Sequence, residues 1–429
     1  MKKVIVIGGG LAGTESALQL SKRGIKVDLY EMKPNKFSDA HTNKNLAEIV
    51  CSNSFKSNLI TTACGLLKEE LRILGSELIK VADEVKVPAG QALAVDREKF
   101  AEEVTKKVED DKNINLIRKE ITKIQKDEIC IIASGPLTSE KLSEEISRIT
   151  GEDKLFFYDA ASPIIEKDTI DMNIGFFGDR YGKGDSSYIN LPMNKEEYLL
   201  FYRNLINAEV ANLHEFEKKE IFEGCIPIEV MAKRGEDTLR FGPLKPVGFK
   251  DPRTNERPYA IVQLRQDNKD GTLFNMVGFQ TNLKFKEQKR VFSLIPGLKN
   301  ADFIKYGVMH RNTYINSTKL LDNTYSLKKN NNIFFAGQIT GVEGYVESIA
   351  SGLLAGINVA NMILEKEKLV LSNITMIGAL TEYIYTENDK FQPMNANFGL
   401  LPELEEKVKD KKLKYEKLAE RSIQKIKDN

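Results

Sequence analysis

Two strand–glycine–helix signatures far apart in the chain, and a mid-chain stretch of different character, predict an α/β protein. The expected architecture is a Rossmann-like dinucleotide-binding domain interrupted by an inserted α+β domain. The first signature is Lys3-Val4-Ile5-Val6-Ile7 running into Gly8-Gly9-Gly10-Leu11-Ala12-Gly13. The second is Asn332-Ile333-Phe334-Phe335-Ala336-Gly337-Gln338, followed by a helix rich in small residues over 346–364. Between them, from about Asp168, glycine- and proline-bearing loops replace the βα rhythm. The domain reading is therefore 1–165 and 301–429 for the two parts of the nucleotide domain and its tail, with 166–300 as the insertion.

Each element has a physical reason. A short apolar run bounded by glycine reads as a buried parallel strand. Gly8, Gly10 and Gly13 stand in G-x-G-x-x-G spacing. Gly8 allows the tight turn, Gly10 lets a pyrophosphate approach the backbone, and Gly13 lets the helix pack closely on the strand. Gly9, Leu11 and Ala12 complete the turn, and the helix N-terminus offers N–H groups and partial positive charge to phosphate. The next strand, Lys26-Val27-Asp28-Leu29-Tyr30, ends in Glu31, 18 residues past Gly13. A carboxylate there can bond both hydroxyls of an adenosine ribose. A glycine turn alone occurs in many α/β domains; strand, helix, second strand and Glu31 in register carry the reading.

Composition excludes several classes. At 429 residues, 41% hydrophobic and 29% charged, the chain can bury two or three cores. A net charge of +1 gives the whole molecule no electrostatic attraction to nucleic acid, so any RNA contact rests on a local patch. Cys51, Cys64, Cys130 and Cys225 form no C-x-x-C pair, which argues against a zinc or dithiol motif and suits a reducing, cytoplasmic setting. The apolar N-terminal run is too short and too soon broken by glycine for a signal peptide. No stretch is expected to approach the length needed to span a bilayer.

Along the chain, 59–79 reads as one helix with Leu66, Leu67, Leu71, Leu74 and Leu78 on one face. Asp96 reads as the cap of a helix through Val108. Residues 114–117, 121–124 and 128–133 suggest a small antiparallel group ending at Gly135-Pro136. Between Lys233 and Arg265 lie eight cations and four acids, with Phe241, Phe249 and Tyr259 interleaved. That is either a solvated rim or a phosphate-tracking surface with stacking platforms; Lys233, Arg234, Arg240, Lys245, Lys250 and Arg253 are its RNA-binding candidates. The second signature continues as Ile339-Thr340-Gly341-Val342-Glu343-Gly344-Tyr345, where a helix N-terminus can stabilise charge on a reduced ring. The tail from Glu403 reads as an exposed charged helix.

The N-terminal turn and the run Phe335 to Tyr345 resemble the glucose-inhibited-division-type flavoproteins that modify RNA. Within them, Cys51-Ser52-Asn53-Ser54, Leu93-Ala94-Val95-Asp96-Arg97, Gly135-Pro136-Leu137-Thr138-Ser139 and Phe222 to Glu229 resemble the folate- and FAD-dependent tRNA uracil-5-methyltransferases. His310-Arg311-Asn312-Thr313-Tyr314 and Phe391 to Gly399 match as well, so the resemblance spans nearly the whole chain. It implies an FAD-binding, glutathione-reductase-type domain with Arg97, Gly135, Gly337, Gln338, Gly341 and Glu343 joining the cofactor contacts. It also implies 5,10-methylenetetrahydrofolate as carbon donor, NADH or NADPH as reductant and a T-loop uridine of tRNA as acceptor. A ribosomal RNA uridine, another flavin-dependent RNA modification, and a non-methylating flavin reductase are the alternatives.

Uracil C5 is a poor nucleophile until a thiolate adds to C6, and cysteine suits that task because it attacks at neutral pH and can leave again. Cys225, just before the basic stretch, is expected to be that nucleophile. Cys51 is the second thiol, either the base for the C5 proton or the holder of a flavin–methylene adduct, and the two roles can be exchanged. A SAM-dependent methyltransferase would not need the second signature, and a disulfide reductase would need a cysteine pair.

Overall fold

The computed structural model describes residues 3–38, 40–152, 155–160, 162–182, 188–211, 226–268, 270–307, 309–389 and 391–428, with backbone alone at 155–160, 182 and 309–311. Two six-stranded sheets organise it. The first runs, in spatial order, Ser326–Leu327, Asn330–Phe335, Ile129–Ile132, Val4–Ile7, Val27–Glu31 and Ile114–Arg118. All its pairs are parallel except the hairpin at Ser326–Phe335. Val4–Ile7 lies in its interior, which is why its side chains are apolar on both faces.

The helix Leu11–Lys22 follows the first strand, and the long helix Tyr345–Ile363 lies against it. Their contact is close enough for Ser16 Oγ to donate to Gly352 O at 2.8 Å. A Cβ on Gly352 would stand 2.3 Å from Ala12 O, so only glycine permits this approach. Tyr345–Ile363 is long and apolar enough to cross a bilayer by length and composition, contrary to the sequence expectation, but 83% of its apolar window is buried inside the protein. Its hydropathy belongs to a core helix sandwiched against its neighbours.

The second sheet is antiparallel throughout: Phe176–Phe177, Tyr188–Met193, Ala260–Gln266, Leu273–Met276, Ile164–Glu166 and Phe303–Lys305. It has its own core, including Tyr198, Phe201, Phe274, Phe279 and Phe292. The ribbon of Leu155–Ala160 and Met309–Tyr314 joins it to the first sheet's domain.

Three local expectations change. Residues 114–118 and 129–132 are not an antiparallel group; both are parallel strands of the first sheet, separated by Val4–Ile7 and Val27–Glu31, and 121–124 is not a strand. The helix expected over 59–79 is two, Ala63–Ile73 and Glu77–Glu84, because Gly75 takes φ +76° and Ser76 caps the second. The tail helix Lys411–Lys427 is not merely exposed: it buries Leu418, Ala419, Ser422 and Ile426, and Ser422 Oγ donates to Glu70.

Candidate active site at the dinucleotide cleft

A cleft open to solvent runs along the first sheet's carboxyl edge from the N-terminal glycine turn to the second. Gly8, Gly9, Gly10, Leu11, Ala12, Glu31, Gly135, Gly337 and Gln338 all line it. The first helix has no side-chain cap at Gly10, so its leading N–H groups are left for a ligand. A Cβ on Gly10 would meet nothing within 4 Å, which leaves the space a pyrophosphate needs. Glu31 is held by its own loop: Oε2 accepts from Gly9 N at 2.8 Å and Oε1 from Lys33 N at 2.9 Å. Each oxygen keeps a lone pair for a ribose hydroxyl. An elongated cleft with a bare helix N-terminus at one end and a carboxylate beside it fits FAD.

Four sequence candidates do not line the cleft. Gly13 serves packing: a Cβ there would lie 1.8 Å from Gly8 O. Gly341 sits under the Phe391 ring. Glu343 accepts both its bonds to Gln338 Nε2, at 2.9 and 3.0 Å, and so orients a cleft residue. Its own N–H donates to Met394 O, which brings the 391–399 motif onto the second glycine turn. Arg97 stands at the junction of the two sheets.

That junction holds Cys51. Tyr345 Oη, at the first turn of the long helix and lining the cleft, accepts from the N–H of Cys51 at 2.9 Å and of Ser52 at 3.1 Å. Arg97 donates to Ile49 O at 3.1 Å and Cys51 O at 3.3 Å, and its Nε lies 2.8 Å from Asp267 of the second sheet's domain. Arg265 donates to Asn53 Oδ1 at 3.0 Å and also to Ser52 Oγ. Asn53 in turn donates to Val95 O at 3.0 Å and Gln266 O at 2.8 Å. The cysteine turn is thus gripped from the long helix, from the Asp96-capped helix and from the second sheet at once.

Electrostatics follow from this burial. Burial, the largest single influence on Arg97, opposes its charge, but Asp267, Tyr345 and Cys51 together outweigh it and hold the guanidinium above its ordinary range. Burial, foremost, and then the Cys51 field push the Tyr345 phenol up. Lys305, ending the edge strand Phe303–Lys305, is pushed down by burial and then by Arg97, while Glu48, Asp267 and Cys51 pull the other way. Cys64 and Cys130 are poor nucleophiles, since burial raises the first to about 11 and the second further. Cys51 is half-buried and forms no disulfide among the described residues.

Cys225 lies outside the described residues, as do the side chains of His310 and Arg311. Of the basic candidates, Lys233, Arg234, Lys245, Lys250 and Arg253 are exposed. Arg253 is bound to Asp251 at 2.7 Å, and Arg240 lies 3.5 Å over the Tyr259 ring with Asp237 beside it, so these two are already engaged. Sequence reading missed Tyr345, Arg265, Asn53 and Asp267 as groups around Cys51. The signal present was adjacency to recognised motifs; their convergence needed the fold.

The fold and site define a two-sheet, dinucleotide-binding α/β protein with a half-buried cysteine at the sheet junction. The family of glucose inhibited division protein A matches residues 3–367. A protein of Fusobacterium nucleatum named methylenetetrahydrofolate--tRNA-(uracil-5-)-methyltransferase TrmFO is 60% identical over 428 residues, covering 100% of this chain and 99% of that one. One of the same name from Acetivibrio thermocellus is 56% identical, covering 99% and 97%. Aquifex aeolicus GidA in its form II crystal superposes with a TM-score of 0.71 at 18% identity, covering 99% of this chain and 73% of that one, which is a likeness of fold. The chain belongs to the glucose inhibited division protein A family and, within it, groups with these TrmFO relatives.

Proposed function

We propose that this protein methylates C5 of a tRNA uridine, in the T-loop, taking the carbon from 5,10-methylenetetrahydrofolate and using FAD with NADH or NADPH as reductant. The observation that carries the activity is the 60% identity, end to end, with a relative bearing that name. When bound, FAD supplies the hydride that completes the methyl group.

The chain's own residues do the rest. Gly8 to Ala12 and the first helix N-terminus hold the pyrophosphate, with Gly13 setting the helix against the turn, and Glu31 holds the ribose. Gly337, Gln338 and Tyr345 wall the far end of the cleft, with Glu343 orienting Gln338. Cys225 adds to uracil C6; the displaced electron pair passes through C5 toward the C4 carbonyl, and C5 attacks the methylene carbon. A base then takes the C5 proton as the methylene carbon parts from its carrier nitrogen, leaving an exocyclic methylene on C5; once hydride is added to that carbon, the thiolate leaves C6 and the 5,6 double bond is restored. Cys51 acts as that base or assists carbon delivery, with the exchange of the two cysteines as the alternative. Residues 166–300 face the RNA, with Lys233, Arg234, Lys245 and Lys250 on its phosphates and Arg240 and Arg253 fixing the surface. The work is done in the cytoplasm, where tRNA is.

Incubation of the purified, flavin-loaded protein with unmodified tRNA, NADPH and methylenetetrahydrofolate tests this by nucleoside mass spectrometry. The expected product is 5-methyluridine that vanishes when folate is omitted. Product from SAM alone, or turnover of NADPH with no RNA product under any folate supply, overturns the proposal. Activity on ribosomal RNA but not tRNA would overturn the substrate.

A further inference from the structure

An aromatic ladder leaves the second sheet's core beside the Cys51 junction. Phe292 in the core contacts Phe303 at 6.4 Å between ring centroids. Phe303 stacks on Tyr306 at 5.9 Å with an interplanar angle of 8°, and Tyr306 on Phe285 at 5.2 Å and 18°. Phe285 ends the series with 56% of its surface exposed. Its outer face is open, and an aromatic face can take a further flat ring in offset stacking.

The ladder is held rigid. The buried Gln288 side chain donates to Gly307 O and accepts from Gly307 N, both at 2.8 Å, which pins the turn carrying Tyr306 to the helix Phe285–Phe292. The surroundings are cationic. Residues 284–290 carry four cations and one acid. Lys284 is paired with Glu209, Arg290 with Glu287 and Lys289 with Ala301 O and Asp302, while exposed Lys286 makes no ion pair among the described residues. Tyr306 directly follows Lys305, the half-buried lysine that feels Cys51 and Arg97. None of the ladder rings lines the dinucleotide cleft, so its exposed face serves something outside that cleft.

We infer that Phe285, Tyr306 and Phe303 form a stacking platform for an unpaired base of the RNA substrate next to the modified uridine, with Lys286 toward its phosphates. The inference rests on the proposed RNA substrate. Parallel rings accept any base on a π-face, and nearby cations answer the backbone charge. The site of chemistry requires an unstacked base, whose neighbours lose their own stacking partners and gain one here.

Full-length, flavin-loaded wild type is compared with Phe285→Ala and Phe285→Trp, using unmodified tRNA. Phe285 is exposed, so both variants are expected to melt with the wild type. Losing one stacked base corresponds to about 1–3 kcal/mol, so Phe285→Ala should raise the KM for tRNA roughly tenfold or more. The KM for methylenetetrahydrofolate should not move, and Phe285→Trp should restore tRNA affinity. An unchanged tRNA KM, or a rise confined to the folate KM, overturns the inference. If the wild type modifies no RNA, the functional proposal fails by itself. Fluorescence anisotropy with a single-stranded oligouridylate then still decides the ladder: equal affinity for wild type and Phe285→Ala overturns it.

Discussion

Cys51 gains its surroundings from residues far away in sequence, and each can be removed singly. Tyr345→Phe keeps the ring against Phe55 but leaves the Cys51 and Ser52 N–H groups without their acceptor. The expected result is a fall in kcat with little change in the KM for tRNA, checked by steady-state kinetics; about 1–3 kcal/mol is at stake for an orphaned donor. Asp267→Ala strands the largely buried Arg97 charge. Removing one partner of such a pair costs about 3–5 kcal/mol, so a clear drop in melting temperature and loss of activity should be seen. Thiol alkylation at pH 7.5 followed by peptide mass spectrometry should label Cys51 well before Cys64 and Cys130, whose burial disfavours the thiolate. At this scale the sequence offered Cys51 and Arg97 through motif resemblance. It hid Tyr345's role, because no pattern in 345 and its neighbours points 294 residues back to Cys51.

Elements were most legible where spacing itself encodes geometry. The glycine turn, Glu31 at its strand end and the Asp96 cap, whose side chain accepts from Glu98 and Lys99 N–H, all follow from local chemistry. Strand partnership did not: the strands at 114–118 and 129–132 are near in sequence, yet Val4–Ile7 and Val27–Glu31 intervene, and nothing local announces it. The break at Gly75 was readable from glycine followed by Ser76, but the leucine stripe on both sides overrode it. The contact between the first helix and Tyr345–Ile363 yields a prediction for the pair. Gly352→Ala should push Ala12, a cleft residue, by overpacking of about 1–3 kcal/mol. Flavin content of the purified variant, read from its visible absorbance, should fall; full occupancy with unchanged melting would reject this account.

Across the whole molecule, three buried carboxylates join distant segments by accepting N–H groups: Glu15 at Glu77 and Leu78, Glu70 at Met376 and Ile377, Glu229 at Asn282. Burial, the largest influence on each, raises all three, and Glu70 reaches about 7 from 4.5. Because the folded-state value is raised, the native chain holds a proton that the unfolded chain has released within that window. The Glu70 contribution is therefore most favourable below 4.5 and is lost as pH rises to about 7, roughly 3 kcal/mol at most. Glu70→Gln should flatten the fall in melting temperature between pH 5 and 8; parallel curves for variant and wild type would contradict it. The two-sheet division was foreshadowed by the mid-chain change of texture, whereas the tail helix's docking was not, since one stacked Tyr415 on Phe398 and one Ser422 leave little periodic trace.

The grip on the Cys51 turn ties chemistry to closure. Two of its anchors, Arg265 directly and Asp267 through Arg97, come from the second sheet's side, so any parting of the two halves to admit a bulky polynucleotide releases them together. The conformation of the 51–53 turn is thereby tied to contact between the two halves: parting them would free the Ser52 and Asn53 side chains and Arg97 in one event.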